Sequence, residues 1–563
     1  LCRKIKLDVL SHPSRYSVLY VPYPFVIPGG RFREIYYWDT YYINRGLLAS
    51  GMAETVKGIL INLVDLIRRF GFIPNGTRSY FMSRSQPPLL ASMVRDYYEA
   101  TKNTELVSLM LPYLEQEQAY WLNHKSVQWV AENGKTYTLY RYVTSQYSPR
   151  PESYYEDLQL VKNIPEEKRA NIWSEVAAAC ESGWDFSSRW FSRSDRTNML
   201  SIRTSHIVPV DLNAFQAMNM EALAILFEAA GEVAKSKCFR QKHADMISAL
   251  SNVFWSKKSN IWFDLDLDTK DHIDTYYISN MVPLYCYSQW DESVYENVLT
   301  YLKESGALQF DGGLPTSLIN SGQQWDFPNG WSPSNHSVIL GLSRSSNETV
   351  QDMAFEIAEH WIVGNYIAFR EEHIMFEKYD VKNQCGGHGG EYEVQEGFGW
   401  SNGVILELLC KYKDRLHIDL PPVTLGAHLL SCSSNTTLSD PLTSLGRCSP
   451  VPSDHVIDHS PVKSPVSQRS VRKSISKLRF GSDRKLDSRE LEIGSHPKRS
   501  DSEVLVGPGS SRPDIVYRNS KLEADEMSES HMGIRQVERK LDSPDVIEHL
   551  LKMPKSNQES LKS

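Results

Sequence analysis

No window of this 563-residue chain reaches the roughly 18 consecutive apolar residues that a membrane-spanning helix requires. The best stretch, GILINLVDLIRRFGF, is broken by Asp65, Arg68 and Arg69, so a soluble chain is expected and no membrane association is visible. A basic excess is missing too. The 61 lysines and arginines stand against 69 acidic residues, a formal charge of −8, which supplies no general field for nucleic acid. The eight cysteines (Cys2, Cys180, Cys238, Cys286, Cys385, Cys410, Cys432 and Cys448) lack paired spacing and read as isolated thiols rather than a disulfide scaffold. Cys385 and His388 have metal-like spacing, but two further ligands are missing nearby, so no metal site is expected. The glycine-rich NQCGGHGGEYEVQEGFGW, residues 383–400, lacks the lysine and Ser/Thr of a phosphate loop. It reads instead as a mobile lid carrying Glu391.

Amphipathic aromatics are abundant, with 13 tryptophans and 29 tyrosines, and so are helical repeats of apolar residues. AETVKGILINLVDLIRRF places Val56, Leu60, Leu63 and Ile67 on one face and stops at Gly71. NTELVSLMLPYLEQEQAYWLNH, LNAFQAMNMEALAILFEAAGE and SNETVQDMAFEIAEHWIVGN repeat the scheme, the second with Asp211 as its expected N-cap. Loops rich in Gly, Pro, Trp and charge separate the helices, with little alternating strand pattern. The reading is an all-α array of hairpins over 1–418, whose functional groups sit on loops held by the helical scaffold. Because the chain starts at Leu1 without a methionine, its N-terminal part is expected to be missing. Residues 419–563 are Ser-, Pro- and charge-rich with few aromatics, and are expected to form a disordered tail.

Two short stretches concentrate what chemistry needs. PGGRFREIYYWDTY, residues 28–41, packs two arginines, a glutamate, an aspartate, a tryptophan and three tyrosines behind a proline and two glycines. QWDFPNGWSP, residues 324–333, adds two tryptophans and an aspartate on a proline-stiffened loop. Flat apolar faces beside charged hydrogen-bonding groups suit a sugar, apolar on its C–H faces and hydroxylated at its edges. Cleaving an acetal takes one carboxylic acid to protonate the leaving oxygen and a second carboxylate acting from the opposite side. Asp185 in SGWDFSSRW, beside Trp184, and Glu377 in FEKYD are such candidates on separate loops. Arg31, Arg84 and Arg150 stand in loop-like contexts, where guanidinium forks bind vicinal hydroxyls and orient carboxylates.

PGGRFREIYYWDTY and QWDFPNGWSP together resemble the two signature segments of the trehalases. IPNGTRSYFMSRSQPP, SPRPESY, ESGWDFSSRW and FEKYD agree, so that the resemblance spans about residues 20–412. It implies an (α/α)6 toroid that hydrolyses α,α-trehalose with inversion and without a cofactor, Asp185 acting as general acid and Glu377 as general base. It also implies substrate contacts from Arg31, Trp38, Asp39, Asn75, Arg84, Ser85, Gln86, Arg150, Glu152, Gly183 and Glu391, with Glu34 and Asp326 bracing the site. Cys385 and His388 interrupt the family's glycine run. An inverting glucosidase with another substrate, or a catalytically silent sugar-binding sensor, are the alternatives. The resemblance to animal trehalases implies an extracellular or membrane-tethered location. Acceptor patterns for N-glycans occur at Asn75, Asn335, Asn347 and Asn435.

Overall fold

Helices dominate residues 2–417, the part of the chain that this computed structural model describes, and these residues belong to one compact unit. The expected tail over 419–563, Cys432, Cys448 and the acceptor pattern at Asn435 lie outside the described residues. The helices that build the scaffold are α1 (Tyr37–Ala49), α2 (Ala53–Phe70), α3 (Leu90–Thr101), α4 (Thr104–Lys125), α5 (Glu166–Ser182), α6 (Val210–Ala229), α7 (Val233–Ala249), α8 (Val282–Cys286), α9 (Glu292–Ser305), α10 (Ser332–Leu342), α11 (Glu348–Glu372) and α12 (Gly399–Tyr412).

Contacts run from α1 to α3, α6, α8, α10 and α12, and from α12 back to α1, so these six helices close a ring. Their burial fits that place: every residue of α10 is buried, as is nearly all of α6 from Val210 to Phe227. Both are buried on every side although each carries polar residues, among them Asn335 and His336 on α10 and Asn213 and Gln216 on α6. α2, α4, α7 and α11 pack outside the ring with one apolar face each. On α2 that face is the expected one, since Val56, Leu60, Leu63 and Ile67 are all fully buried. The ring closes through glycine. A Cβ on Gly46 of α1 would lie 2.4 Å from the Gly403 Cα of α12, and one on Gly403 would lie 2.2 Å from the Tyr42 carbonyl oxygen.

Two features depart from the sequence reading. Asp211 does not cap α6: the helix begins at Val210 with Pro209 at the N-cap, and Asp211 lies in its first turn. Its carboxylate is taken by Arg189 Nη1 and Nη2 at 2.8 and 2.7 Å, a distant partner that no local pattern announces. An antiparallel hairpin of β1 (Ser126–Val130) and β2 (Thr136–Tyr140), Ser126 opposite Tyr140, follows α4. A small sheet matters more for function. In it β4 (Lys378–Asp380) runs antiparallel to both β3 (Asn329–Trp331) and β5 (Cys385–Gly386), with Lys378 opposite Trp331. This sheet ties the second aromatic stretch to Glu377, the residue just before β4.

Candidate active site

The loops that enter α1, α3, α10 and α12 and leave α5 converge on one cavity of about 220 Å³. It is lined by Asp185 and Glu377 and by Arg31, Trp38, Asp39, Asn75, Arg84, Gln86, Arg150, Glu152, Gly183 and Glu391. Ser85 is not brought to it. Wedged between Arg84 and Gln86, which point in, Ser85 is buried behind the wall, its N–H donating to Glu181 Oε1 at 2.8 Å and its hydroxyl to the Ile73 carbonyl at 2.7 Å. Glu34 lines the cavity and accepts from Arg78 Nη2 at 2.9 Å and the Tyr36 hydroxyl at 3.1 Å. Asp326 stays out of it, gathering Ser187, Ser188 and Ser317 at 2.7–3.0 Å.

Stacked indoles form the floor. Trp325 lies parallel to Trp331 with ring centroids 3.9 Å apart and stacks on Trp184 at 5.1 Å, while Trp400 meets the column edge-on and Trp38 lies tilted against Trp325. Beneath Trp184 the buried Arg189 guanidinium sits 4.5 Å from the ring, held by Asp211 and Asp264. Large, rigid apolar area with little entropy to lose suits the C–H face of a sugar. Gly183 ends α5 at φ +76°, and a Cβ there would meet the Trp38 ring at 2.7 Å. The turn that delivers Asp185 therefore needs glycine both for its left-handed backbone and for its close approach to Trp38.

Guanidinium groups line the cavity beside the indoles. Arg150 is buried and bound by Asp157 through its Nε, Nη2 and backbone N–H, and Nη2 also reaches Glu391 Oε1 at 2.8 Å. Arg84 pairs with Glu152, while its Nε and Nη1 have no protein acceptor. The 383–400 segment is folded across the site: the Glu377 N–H donates to the Gln395 carbonyl at 2.9 Å, and the Arg31 N–H to Gln395 Oε1 at 2.7 Å.

Burial pushes Asp185 up to about 7, with Arg150 opposing and Glu391 reinforcing the rise. Glu377 is also pushed up to about 7, chiefly by burial, with Lys378 and the Tyr392 hydroxyl opposing. Asp39 is raised well above the carboxyl range by burial, and Glu377 and Asp185 add to it. Two carboxyls poised near neutrality in one cleft can give and take protons at working pH.

Several functional neighbours escape the sequence reading. Asp157 holds Arg150, Tyr392 donates to Glu377 at 2.9 Å, Lys378 is fully buried beside Glu377, and Cys180 Sγ lies 3.2 Å from Arg150 Nη1 in the cavity wall. Tyr392 and Lys378 adjoin motif residues, which is the one signal that could have found them. Among the described residues no three His, Cys, Asp or Glu side chains converge to hold a metal, and no helix is long and apolar enough to cross a membrane.

Known proteins are similar to this chain in sequence and fold. A trehalase from Homo sapiens is 44% identical over 438 residues, covering 77% of this chain and 74% of its own, and one from Apis mellifera is 43% identical over 424 residues, covering 74% and 67%. The neutral trehalase Nth1 from Saccharomyces cerevisiae has the same fold, with a TM-score of 0.56 at 22% identity over 69% of this chain and 74% of its own. The Trehalase family model matches residues 1–413, and with relatives this similar over so much of their length the chain belongs to the trehalase family.

Proposed function

We propose that this chain hydrolyses α,α-trehalose to two glucose molecules, with Asp185 as general acid and Glu377 as general base. The reading rests above all on these two carboxyls, delivered by different loops into one cavity and each raised to about 7. Asp185 gives its proton to the glycosidic oxygen as the bond to the anomeric carbon breaks. Glu377 takes a proton from a water that attacks that carbon from the other face. At the end Asp185 is ionised and Glu377 protonated, and exchange with solvent resets both.

Their surroundings favour this division. Glu377 accepts from the Tyr392 hydroxyl at 2.9 Å and from the Gln395 N–H at 3.4 Å, and donors aimed at a carboxylate favour its ionised form. Burial raises the pKa of Asp185 most, and Glu391 adds to the rise against the pull of Arg150, which favours retention of a proton. The indole column offers a face for one glucose, and Arg31, Arg84 and Arg150 offer donors for hydroxyl edges. For location, the finer reading is work outside the cell or tethered at its surface. Of the described acceptor patterns, Asn335 is fully buried and Asn75 lines the cavity, whereas Asn347 at the start of α11 is partly exposed; a glycosidase-sensitive mass shift lost in Asn347→Gln checks this.

Incubating the purified chain with trehalose, maltose and sucrose while following released glucose tests the activity. Release from trehalose alone is expected. Release from another glucoside would make it a glucosidase of different specificity, and binding of trehalose without release would make it a sensor.

A further inference from the structure

Lys378 is an unusual neighbour for a proton acceptor. Its side chain is fully buried, and an ammonium is stable in such a place when hydrogen bonds and opposite charge offset its desolvation. Nζ donates to Gln324 Oε1 at 2.7 Å and to the Gly389 carbonyl at 3.0 Å. An ammonium has hydrogens to give and no lone pair. The Gln324 amide is therefore fixed with its oxygen toward Lys378 and its NH2 away from it. That NH2 donates to the backbone carbonyl of Asp185 and, at 3.2 Å, to the Tyr392 hydroxyl. With its oxygen accepting there, Tyr392 directs its own hydrogen to Glu377 Oε1 at 2.9 Å. Burial lowers Lys378 to about 8, against the pull of Glu377 and Asp185; below that pH it is charged, each bond in this series has one allowed direction, and the series ends on Glu377 as an acceptor.

We propose that Lys378 and Gln324 are positioning residues of the reaction: acting through Tyr392, they fix Glu377 Oε1 as an acceptor, which holds this residue as a carboxylate, while Oε2, which accepts only the long 3.4 Å bond from the Gln395 N–H, keeps a lone pair for the proton of the attacking water. The same amide fastens the Asp185 loop and the 389–392 segment to that carboxylate, so acid, base and covering loop share one brace. The inference rests on Glu377 being the base. The other charged groups that bear on Glu377 are Arg31 from the loop before α1 and Asp39 on α1, while Asp185 acts on Lys378.

The test compares wild type, Tyr392→Phe, Gln324→Leu, their double variant and Glu377→Gln, following trehalose kinetics against pH together with the thermal midpoint. Losing the donor raises the pKa of Glu377, so the base is ionised only at higher pH. Tyr392→Phe is therefore expected to lower kcat roughly 10- to 100-fold, the worth of one hydrogen bond to a charged group. KM should change less than about threefold and the acid limb of the profile should move up by about one pH unit. Gln324→Leu should move that limb the same way, and should add no further movement once Phe occupies position 392, because coupled residues are not additive. A raised KM with an unmoved acid limb in Tyr392→Phe overturns the proposal, as do additive movements in the double variant. If Gln324→Leu does not fold, the limb in Tyr392→Phe decides alone. Normal turnover in Glu377→Gln would instead remove the base assignment itself.

Discussion

Arg150 and Glu391, 241 residues apart in the chain, meet at 2.8 Å at the edge of the cavity that both line. The guanidinium is held from behind by Asp157, so a rigid ion pair fixes the position of a carboxylate carried on the covering loop. Glu391 in turn pushes up the pKa of Asp185.

This chain of influence gives a signed expectation for Glu391→Gln. Without the negative charge Asp185 loses its proton at lower pH, so the alkaline limb of the trehalose profile should move to lower pH while the thermal midpoint stays where it was. Arg150→Lys should behave differently. A lysine cannot reproduce the fork, and Asp157, 1% exposed, would lose bonds in a buried site, a change that costs about 3–5 kcal/mol when a buried pair is broken. A drop in midpoint together with lost activity is expected for Arg150→Lys. Equal midpoints for the two variants would sink the bracing role given to Arg150.

Asp185→Asn and Glu377→Gln should each lower turnover by at least about 10²-fold, the scale of a positioned acid or base, and at the same time make the protein more stable at neutral pH. The folded-state pKa of both carboxyls, about 7, lies above the usual carboxyl value. Between the two values the native state binds more protons than the unfolded one, so wild-type stability falls as pH rises through that window. An amide has no such cost. The midpoint advantage of Asp185→Asn should be about 5 °C near pH 8 and vanish below the unfolded carboxyl pKa, near pH 4. Scanning calorimetry across that range decides it, and an advantage that grows toward acid would contradict the burial argument.

Which residues could be read in advance follows from where their partners lie. Trp38 sits in a dense local mixture of aromatic and charged side chains that has no ordinary structural use, so the sequence itself marks it, whereas Asp185 and Glu377 are singled out by the resemblance of their segments to the trehalases, an aspartate beside a tryptophan being more often a helix cap or a surface group. The buried face of α2 was legible because helix periodicity is local. Ser85 stood inside a functional stretch, yet neighbours on an extended loop point opposite ways, and only the fold shows which of Arg84, Ser85 and Gln86 turn inward. Lys378 and Tyr392 draw their roles from Gln324, more than fifty residues away in the chain, Asp157 draws its role from Arg150 only once the loop folds back on itself, and Asp211 was lost as a cap to Arg189. The hairpin of β1 and β2 was hidden by the helical pattern on both sides of it.

Ring closure by Gly46 and Gly403 should be intolerant of a methyl group. A Cβ on Gly403 would come within 2.2 Å of the Tyr42 carbonyl oxygen, a backbone atom that cannot move aside without shifting α1. Gly403→Ala is expected to destabilise by about 1–3 kcal/mol, the range for overpacking. Because α1 also carries Trp38 and Asp39, KM for trehalose should rise as well. Urea unfolding and steady-state kinetics measure both. Wild-type values in each would show that α1 and α12 can separate without consequence.

Stereochemistry leaves the most direct record of the mechanism. In an inverting site the two carboxyls stand roughly 6.5–9.5 Å apart with a water between base and sugar, whereas a retaining site holds them at about 5–5.5 Å for a covalent intermediate. Asp185 follows α5 and Glu377 precedes β4, so neither is tied to the other by a shared element. Glu377 already receives two hydrogen bonds, which suits a carboxylate that takes a proton better than one that must attack carbon. Each turnover should then release one β-glucose from the unit attacked by water and one α-glucose from the departing unit. Proton NMR of the anomeric signals, recorded before mutarotation mixes them, distinguishes the cases. Equal initial amounts of the two anomers are expected, while α-glucose alone would require retention and make one of the two carboxylates a nucleophile.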